Sequence, residues 1–425
     1  MFAYNYVILN YMSKKILIIG NSANVYALAR KLATKNEIFV APGSDSINEF
    51  ATCVDIREDA LSEILDFVME NGIDLTIPFS EKVLKTNIVN VFIDNNLQVF
   101  APEQKIINTL FDKSLIKKIL YKLRIPTPKF GIFEKQNMTQ DYIKNCKLPF
   151  VLKTNEPSSA VVLTSQSLAK NILNSYFAKK NQKILVEDYI WGTPFNFYVM
   201  TDGYKALPIN SSIVYRYSLE GDGGQLTSGM GACAPNYKLS FDNEDFIMNN
   251  VVYPIIEYFE AEGNPYTGIL AVNAILTEDG SVQVLGFSPF LSDCDADLIL
   301  GLMEDDICSL IEKCILGTFS DEVEFISQKD LSATSLVLVC KNNVNNQNII
   351  ENVDLLDEEI LYSYYPTVTK NKYLEFEVNQ GSVMVLSAFA RTISSSLEKL
   401  YNQAEIIKFK GLSYRKDMCK TRNMI

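Results

Sequence analysis

The first strand-helix segment constrains the fold most strongly. Residues 15–20 read KILIIG, a short apolar and β-branched run that ends in glycine, and residues 38–40 form a second apolar run. Between the two runs, apolar residues recur every three or four positions, at Val25, Leu28, Ala29 and Leu32. A strand pattern, a helical pattern and a second strand pattern together predict a βαβ unit.

The following segments extend this unit into a sheet. Two further apolar runs, at 75–77 and 99–100, alternate with segments of helical periodicity at about 60–71 and 81–94. Such alternation is typical of a small, doubly wound parallel sheet, which binds ligands beyond the carboxyl ends of its strands. That edge would carry Gly20, Ala41, Pro78 and Ala101.

The composition predicts a globular protein that binds small molecules. The chain has 425 residues, 48% of them hydrophobic, which suffices for about two to four compact units. Its 51 acidic residues outnumber its 39 basic residues, and the net charge of −12 opposes binding to nucleic acid and to anionic membranes. We therefore expect small-molecule ligands, and neither a nucleic acid nor a membrane partner.

Histidine is absent and the eight cysteines are scattered. The absence of histidine excludes Ser-His-Asp and Cys-His nucleophiles and His-ligated metals. Without a Cys-x-x-Cys pair, the cysteines predict mostly buried thiols in a reducing cytoplasm and no disulfide framework. Residues 1–12 are too short for a membrane span and lack a basic region, so they predict an extension, with Met1 or Met12 as the natural start.

The organisation of the chain changes after residue 112. A helical segment at about 113–123 ends near Pro126 and Pro128, which forbid its continuation and begin an extended segment. A compact α+β module is then predicted from strands at 150–153 and 184–187 and a helix at 167–177. Further strands are predicted near 195–200, 205–214, 268–276 and 282–287, with helices near 243–260 and 297–315 and a glycine-rich loop at 221–231. The final segment predicts strands near 335–340, 376–378 and 384–389 and a helix at 394–404.

Three segments in a fixed order identify a family. Residues 221–232 read GDGGQLTSGMGA, and EGNPYTGIL at 262–270 leads into VQVLGFS at 282–288. With these motifs, the chain resembles the glycinamide ribonucleotide synthetases (phosphoribosylamine–glycine ligases) from about Lys14 to Asp417. The resemblance implies a mixed α/β and α+β protein of ATP-grasp fold. The implied units are an N-terminal extension (1–12), a Rossmann-like domain (13–112), a hinge and lid subdomain (113–190), an ATP-grasp main subdomain (191–328) and a C-terminal domain (329–425).

The resemblance implies that two lysines and one glutamate bind the nucleotide. Lys113 and Lys153 fall on the family's ATP-contacting lysines, and Glu187 falls where the family contacts the adenine. For each of the three, a solvated surface charge is the alternative interpretation. The family's phosphate loop contains glycines and a lysine, but residues 154–162 contain neither. The family's ribose-binding Gly-Glu-Glu is also replaced, by GTP at 192–194.

The glycine-rich loop would carry the acyl-transfer chemistry. Its amides and a threonine can stabilise an acyl phosphate and the tetrahedral adduct that follows. The implied catalytic residues are Arg216, Thr227, Gly229 and Gly231, with Asp222 as a substrate-binding residue. Arg216 preserves one charge of the family's Asp-His-Lys-Arg, which reads VYRY at 214–217.

Strand-end turns would bind the second substrate. The residues that match the family there are Gly20, Asn21, Pro42, Gly43 and Glu81. The first of these turns helps to hold phosphoribosylamine in the family, but Asn24 and Tyr26 replace its arginine and histidine. A plain strand-end turn or a solvated acid is the alternative for each residue.

The implied metal site lacks its ligands. The family binds magnesium through a glutamate and an asparagine, and Gly286 and Ser288 stand at these two positions. Asp293 and Asp295 lie at the acidic positions of the family's Arg-Phe-Gly-Asp-Pro-Glu segment and are candidates for a relocated cation site. The alternative is that both are solvated acids on a surface turn.

Three hypotheses for function follow. The family reaction joins glycine to 5-phosphoribosylamine with ATP, giving glycinamide ribonucleotide, ADP and phosphate in purine biosynthesis. The first hypothesis is a divergent ligase-like protein whose ancestral activity is lost or altered. The others are an active synthetase that uses ATP and Mg²⁺, and a non-catalytic regulatory protein that binds a nucleotide or metabolite. We expect a cytoplasmic monomer or weak homo-oligomer.

Overall fold

The computed structural model describes residues 13–156, 159–178, 183–319, 328, 330–341 and 348–419. The predicted extension 1–12 and two residues of the 154–162 loop lie outside these ranges. Within the ranges, no helix combines the length and the apolar character that crossing a membrane requires.

The N-terminal unit has the predicted parallel sheet. Its strands are β1 (Lys15–Gly20), β2 (Glu37–Pro42), β3 (Thr52–Cys53) and β4 (Leu75–Pro78). Its helices, with the one that leads out of it, are α1 (Ala23–Ala33), α2 (Leu61–Asn71), α3 (Glu81–Leu84), α4 (Ile88–Asp94), α5 (Gln104–Phe111) and α6 (Lys113–Lys122). The strands pair in parallel in the order β3-β2-β1-β4, which confirms the doubly wound arrangement.

Burial on both faces explains the continuous apolar run of β1. Ile16 and Ile18 pack into the core that contains α1, whereas Leu17 and Ile19 pack into the core that contains α2 and α4. Two local predictions are wrong. The segment 81–94 is not one helix, because α3 and α4 are separate, and residues 99–100 contribute an isolated bridge from Val99 to Thr76 instead of a strand.

The second unit is the predicted α+β module. Its elements are β5 (Phe130–Phe133), α7 (Gln136–Ile143), β6 (Phe150–Lys153), β7 (Val161–Leu163), α8 (Gln166–Phe177) and β8 (Ile184–Asp188). The strands pair antiparallel in the order β5-β8-β6-β7. Helix α6 ends at Lys122, before Pro126 and Pro128, so the prolines mark the predicted exit from the helix.

The third unit carries the long strands. They are β9 (Thr193–Asp202), β10 (Ala206–Val214), β11 (Tyr217–Leu219), β12 (Gly223–Leu226), β13 (Gly231–Ala234), β14 (Thr267–Leu276) and β15 (Val282–Ser288). The α-helices are α9 (Phe241–Ile247), α10 (Tyr253–Ala261), α11 (Ala296–Leu302) and α12 (Ile307–Ile315). The predicted loop at 221–231 is wrong in part, because β12 lies inside it and pairs with β11 as a short hairpin.

The C-terminal segment continues the same sheet. It contains β16 (Ser332–Cys340), β17 (Leu361–Tyr364), β18 (Val368–Lys370), β19 (Phe376–Val378), β20 (Gly381–Ala390), α13 (Ile393–Ala404) and β21 (Leu412–Ser413). Within the described residues, one antiparallel sheet runs β15-β14-β9-β10-β13-β16-β20-β17, with β21 beside β16. The pairing of β13 with β16 therefore crosses the predicted boundary at 328, and the domain boundaries stay predictions.

One pair of cysteines departs from the predicted free thiols. Cys233 in β13 and Cys419 form a disulfide, although 186 positions separate them in the sequence. The fold brings them together, and cysteine spacing carries no signal for such a contact. The cysteines outside this disulfide that are buried, as predicted, are Cys294, Cys308, Cys314 and Cys340.

Candidate functional site

A cleft separates the β5–β8 sheet from the long sheet. It encloses about 360 Å³, and its wall is formed by the start of α6, the end of β6, the loop after β12, Asn273 within β14 and the end of β15. Apolar side chains line one part, among them Ile116, Leu185 and Phe287. The described polar and charged residues of the wall are Glu81, Lys113, Lys153, Asn155, Ser159, Arg216, Thr227, Ser228, Asn273 and Ser288.

Helix α6 carries Lys113 to the cleft. The carboxylate of Asp112 caps the helix by accepting the Ser114 and Leu115 amides at 2.9 and 3.0 Å. The Lys113 ammonium donates to the Glu156 carbonyl at 2.8 Å and to the Ser159 hydroxyl at 3.0 Å. Burial, and then the neighbouring Lys153, lowers the pKa of Lys113 to about 8.

Lys153 joins a buried cluster that the sequence did not reveal. Glu187, with its side chain 1% exposed, pairs with Lys153 and also with Lys117 at 2.7 Å. Burial opposes ionisation of Glu187, but the two lysines hold its pKa below the ordinary value. Glu187 is thus not a solvated strand-end acid, because it lies behind Lys153.

Lys117 is the member of this cluster that sequence reasoning missed. It is fully buried and donates to the Val284 carbonyl at 3.3 Å and to the Thr127 hydroxyl at 2.5 Å. It follows Lys113 by four positions, so both lie on one face of α6. The available signal was a lysine within the apolar stripe of a helix that also buries Ile116 and Leu120.

In the glycine-rich loop, the Thr227 side chain is hydrogen-bonded to the backbone. The Thr227 hydroxyl donates to the Arg216 carbonyl at 2.9 Å and accepts the Gly229 amide at 3.2 Å. A side chain at Gly229 would meet the Cys294 sulfur at 2.5 Å, so the loop approaches its neighbour too closely for any other residue. At Gly231, a Cβ would likewise meet the Ser335 carbonyl oxygen at 2.5 Å.

Asp222 lies apart from the cleft wall. Its carboxylate pairs with Arg415 at 3.1 Å, and Arg415 also pairs with Asp417 at 2.6 Å. Asp417 in turn accepts the Gly221 amide at 2.8 Å. The structure therefore places the predicted substrate-binding Asp222 in a contact between the loop and the C-terminal segment.

A second cavity of about 280 Å³ adjoins the cleft at the strand ends of the N-terminal unit. Glu81 and Arg216 line both cavities. The residues of the first βα turn that line the second cavity are Ser22 and Asn24. The other predicted residues of the strand-end turns, which do not line it, are Gly20, Asn21, Pro42 and Gly43.

Asn24 is engaged within the protein. Its side-chain amide donates to the Leu291 carbonyl at 2.8 Å, and its backbone amide donates to the Asp293 carboxylate at 3.0 Å. Tyr26 is buried, with its ring 5.0 Å from that of Phe50 and 6.1 Å from that of Tyr364. Both residues that replace the family's arginine and histidine therefore pack inside the fold.

The candidate metal position contains no carboxylate. A Cβ added at Gly286 meets no atom within 4 Å, so this position is open to the cleft. The Ser288 hydroxyl donates to the Asn273 side chain at 3.1 Å. Within the described ranges, no group of three or more Cys, Asp or Glu side chains could hold a metal ion.

Asp293 and Asp295 are not the solvated surface pair that was the alternative interpretation. Asp295 is fully buried and accepts hydrogen bonds from Tyr198, Asn196 and Ser292 at 2.5 to 2.6 Å. Asp293 lines the second cavity, and burial raises its pKa. The three donors around Asp295 leave it poorly suited to bind a cation.

Similarity to solved structures defines the class of protein. The phosphoribosylamine–glycine ligase of Thermotoga maritima matches with a TM-score of 0.79 and 19% identity, over 95% of this chain and 99% of that one. The biotin carboxylase domain of the Hydrogenobacter thermophilus 2-oxoglutarate carboxylase, in complex with MgADP, ADP and bicarbonate, matches with a TM-score of 0.71 and 14% identity, over 95% and 92% of the two chains. The fold is that of an ATP-grasp protein.

Sequence comparison gives the family. The phosphoribosylglycinamide synthetase N domain matches residues 14–108, and the ATP-grasp (A) domain of the same synthetase matches residues 111–296. The phosphoribosylamine–glycine ligase of Clostridium acetobutylicum is 26% identical over 423 residues, which span 96% of this chain and 100% of the relative. The chain belongs to the phosphoribosylglycinamide synthetase family.

Proposed function

We propose that this protein is a divergent phosphoribosylamine–glycine ligase-like protein that keeps a nucleotide cleft and has lost or altered the ancestral ligation. The nucleotide cleft is supported by Lys113 and Lys153, which meet on one wall, and by the apolar side chains beside them. Membership of a family of ligases in purine biosynthesis gives the ancestral reaction. A cytoplasmic location and a monomer or weak homo-oligomer remain part of the proposal.

The main support for a lost or altered activity is the cleft wall at residues 286 and 288. Transfer of a phosphoryl group from ATP to a carboxylate requires a cation that neutralises the developing charge. Magnesium takes oxygen ligands, chiefly carboxylates, yet Glu81 is the sole carboxylate among the described residues that line the cleft. Gly286 offers no ligand, and the Ser288 hydroxyl is bound to Asn273. The residues present do not fit the family's metal.

The second cavity supports an altered substrate as well. Its wall carries one guanidinium, on Arg216, and two carboxylates, on Glu81, which is paired with Lys85, and on Asp293. Asn24 and Tyr26 occupy the positions of the family's arginine and histidine. The Asn24 side chain is hydrogen-bonded to the Leu291 carbonyl, and the Tyr26 ring packs against Phe50. A phosphorylated amine would therefore meet a poor balance of charge here.

An active synthetase is the second candidate. It is favoured by the retained lysines and by the glycine-rich loop, in which Thr227 and Arg216 lie at the edge of the cleft. ATP and magnesium would be its cofactors. A non-catalytic regulatory protein that binds a nucleotide or metabolite would keep the cleft and show no turnover.

The deciding experiment is release of ADP by the purified protein, given ATP, Mg²⁺, glycine and freshly generated phosphoribosylamine, beside an authentic synthetase. We expect a rate at least about a thousandfold below that of the authentic enzyme, because the metal contributes several kcal/mol to stabilising the transition state. A comparable rate that requires both substrates would overturn the proposal in favour of the active synthetase.

A pair of variants tests the reason for the loss. Gly286→Glu with Ser288→Asn would restore the family's ligands at a position where an added side chain meets open space. Gly286→Gln with Ser288→Asn has the same size without the charge and serves as the matched control. Magnesium-dependent turnover in the first variant alone would locate the defect in the metal site. Absence of turnover in both variants would mean that the 154–162 loop is defective as well.

A further inference from the structure

Arg216 stands where the two cavities join. One of its terminal nitrogens donates to the Asn196 side-chain oxygen at 3.3 Å. Its Nε is buried and has no hydrogen-bond partner among the described residues. A guanidinium has five N–H donors in a planar fork, and the Arg216 side chain lines both cavities, so terminal donors that are not bound to Asn196 can meet an anionic ligand.

A chain of buried polar groups holds Arg216 in place. The Asn196 oxygen that accepts from Arg216 also accepts from Asn273 at 3.0 Å. The amide nitrogen of Asn196 donates to Asp295 at 2.6 Å, and Asp295 is fully buried. The carboxylate of Asp295 thus balances the charge of Arg216 through Asn196, from the buried side. The side of the guanidinium that faces the cleft remains cationic.

The same chain reaches the family's metal position. Asn273 accepts from the Ser288 hydroxyl at 3.1 Å, and Asn273 is paired with Gly286 across strands β14 and β15. Arg216 is therefore linked through two side chains to the strand positions where the family has its metal ligands. A fixed positive charge is present near this position, although metal-binding carboxylates are missing.

The charges on the cleft wall favour an anion without a metal. Lys113, Lys153 and Arg216 are cationic, and Glu81 is the sole described acid among the lining residues. Glu187 lies behind Lys153, but it is shared with the buried Lys117, so the two lysines together keep one positive charge in excess. This balance is opposite to the net charge of −12 on the whole chain. Three donor-rich cations can neutralise a diphosphate directly, and guanidinium groups bind phosphate oxygens in pairs.

We infer that the cleft binds a nucleoside diphosphate without a divalent cation, and that the guanidinium of Arg216 supplies the counter-charge near the position the metal occupies in the family. This inference rests on the nucleotide cleft of the proposed function. It goes beyond that function because it specifies the ionic form of the ligand. Magnesium would then give no gain in affinity, since it neutralises phosphate charge that the cleft is built to pair.

Calorimetric titration of the full-length protein with ADP tests the inference. We expect binding in EDTA that is as tight as, or tighter than, binding in excess Mg²⁺. Arg216→Gln should weaken binding in EDTA by about tenfold or more, which is the scale of one lost charge-assisted contact. Arg391→Gln, at an exposed arginine outside the cleft wall, is the matched control and should leave the affinity unchanged.

Variants at Gly286 provide the converse test. Gly286→Glu adds a carboxylate beside the phosphates, so ADP binding should weaken in EDTA and recover in Mg²⁺, while Gly286→Gln should show no such metal dependence. Binding by the unmodified protein only in the presence of Mg²⁺ would overturn the inference. Absence of ADP binding in both buffers, with a folded circular dichroism spectrum, would overturn it together with the nucleotide cleft. ADP binding that requires Mg²⁺, with no turnover in the ligase assay, would overturn the inference and leave the proposed loss of activity standing.

Discussion

The pKa of a single residue, Lys113, predicts how ligand binding depends on pH. Its pKa of about 8 means that the ammonium loses its proton at mildly alkaline pH in the free protein. An anion binds the protonated form better, so affinity is full below about pH 8 and falls above it, by up to about tenfold per pH unit. We expect ADP titrations between about pH 7 and pH 9.5 to show this decline.

Lys113→Arg is the control for this prediction, since arginine keeps its charge throughout the range. Its ADP affinity should be nearly constant over the same pH values. The same decline in Lys113→Arg would mean that another group titrates, and the role given to Lys113 would be wrong.

At the scale of elements, the C-terminal segment fixes the glycine-rich loop. Arg415, 2% exposed, pairs with Asp222 and Asp417 and donates to the Tyr217 carbonyl at 3.2 Å. Arg415→Met should lower the free energy of unfolding by about 2–3 kcal/mol, less than for a fully buried pair because both acids are about a quarter exposed. Hydrogen exchange at Gly221 should accelerate along with it, because its amide is bound to Asp417.

The neighbouring lysine supplies the control. Lys416 is exposed, and Lys416→Met should change the free energy of unfolding, measured by urea denaturation, by less than about 0.5 kcal/mol. Equal effects of the two variants would show that Arg415 does not hold the loop.

The elements also show what local sequence can predict. Strand β6 and the end of α6 follow from an apolar run and from prolines, which act over a few residues. The Lys117–Glu187 pair and the pairing of β13 with β16 join residues that are distant in the sequence, so no local pattern announces them. The family resemblance singled out Lys113, Lys153, Arg216 and Thr227, which all line the cleft, because it carries tertiary information that periodicity lacks.

At the scale of the whole molecule, the N-terminal unit and the C-terminal segment share one core. Helix α1 packs against β17 and α11, and the ring of Tyr26 lies 6.1 Å from that of Tyr364. Arg30 of α1 pairs with Asp297 of α11 at 2.5 Å, and Asp297 accepts from Ser363 of β17 at 2.9 Å. A shared core of this kind predicts that the two parts unfold together.

Variants of Tyr364 test this coupling. Tyr364→Ala should lower the free energy of unfolding by about 3–5 kcal/mol, since it removes a buried ring. Tyr364→Phe should leave stability unchanged or raise it by about 1 kcal/mol, because the buried hydroxyl has no hydrogen-bond partner among the described residues. Tyr373→Ala, at a residue that is 64% exposed, controls for loss of an aromatic ring in the same segment.

Thiol labelling during urea denaturation reads out the two parts separately. Cys53 lies in β3 of the N-terminal unit, and Cys340 ends β16 of the C-terminal segment. If the core is shared, Tyr364→Ala lowers the urea midpoint for labelling of both thiols by the same amount. A lower midpoint for Cys340, with that of Cys53 unchanged, would mean that the N-terminal unit folds independently of the strand that Tyr364 belongs to. The long sheet and the parallel sheet would then be in contact, but they would not unfold cooperatively.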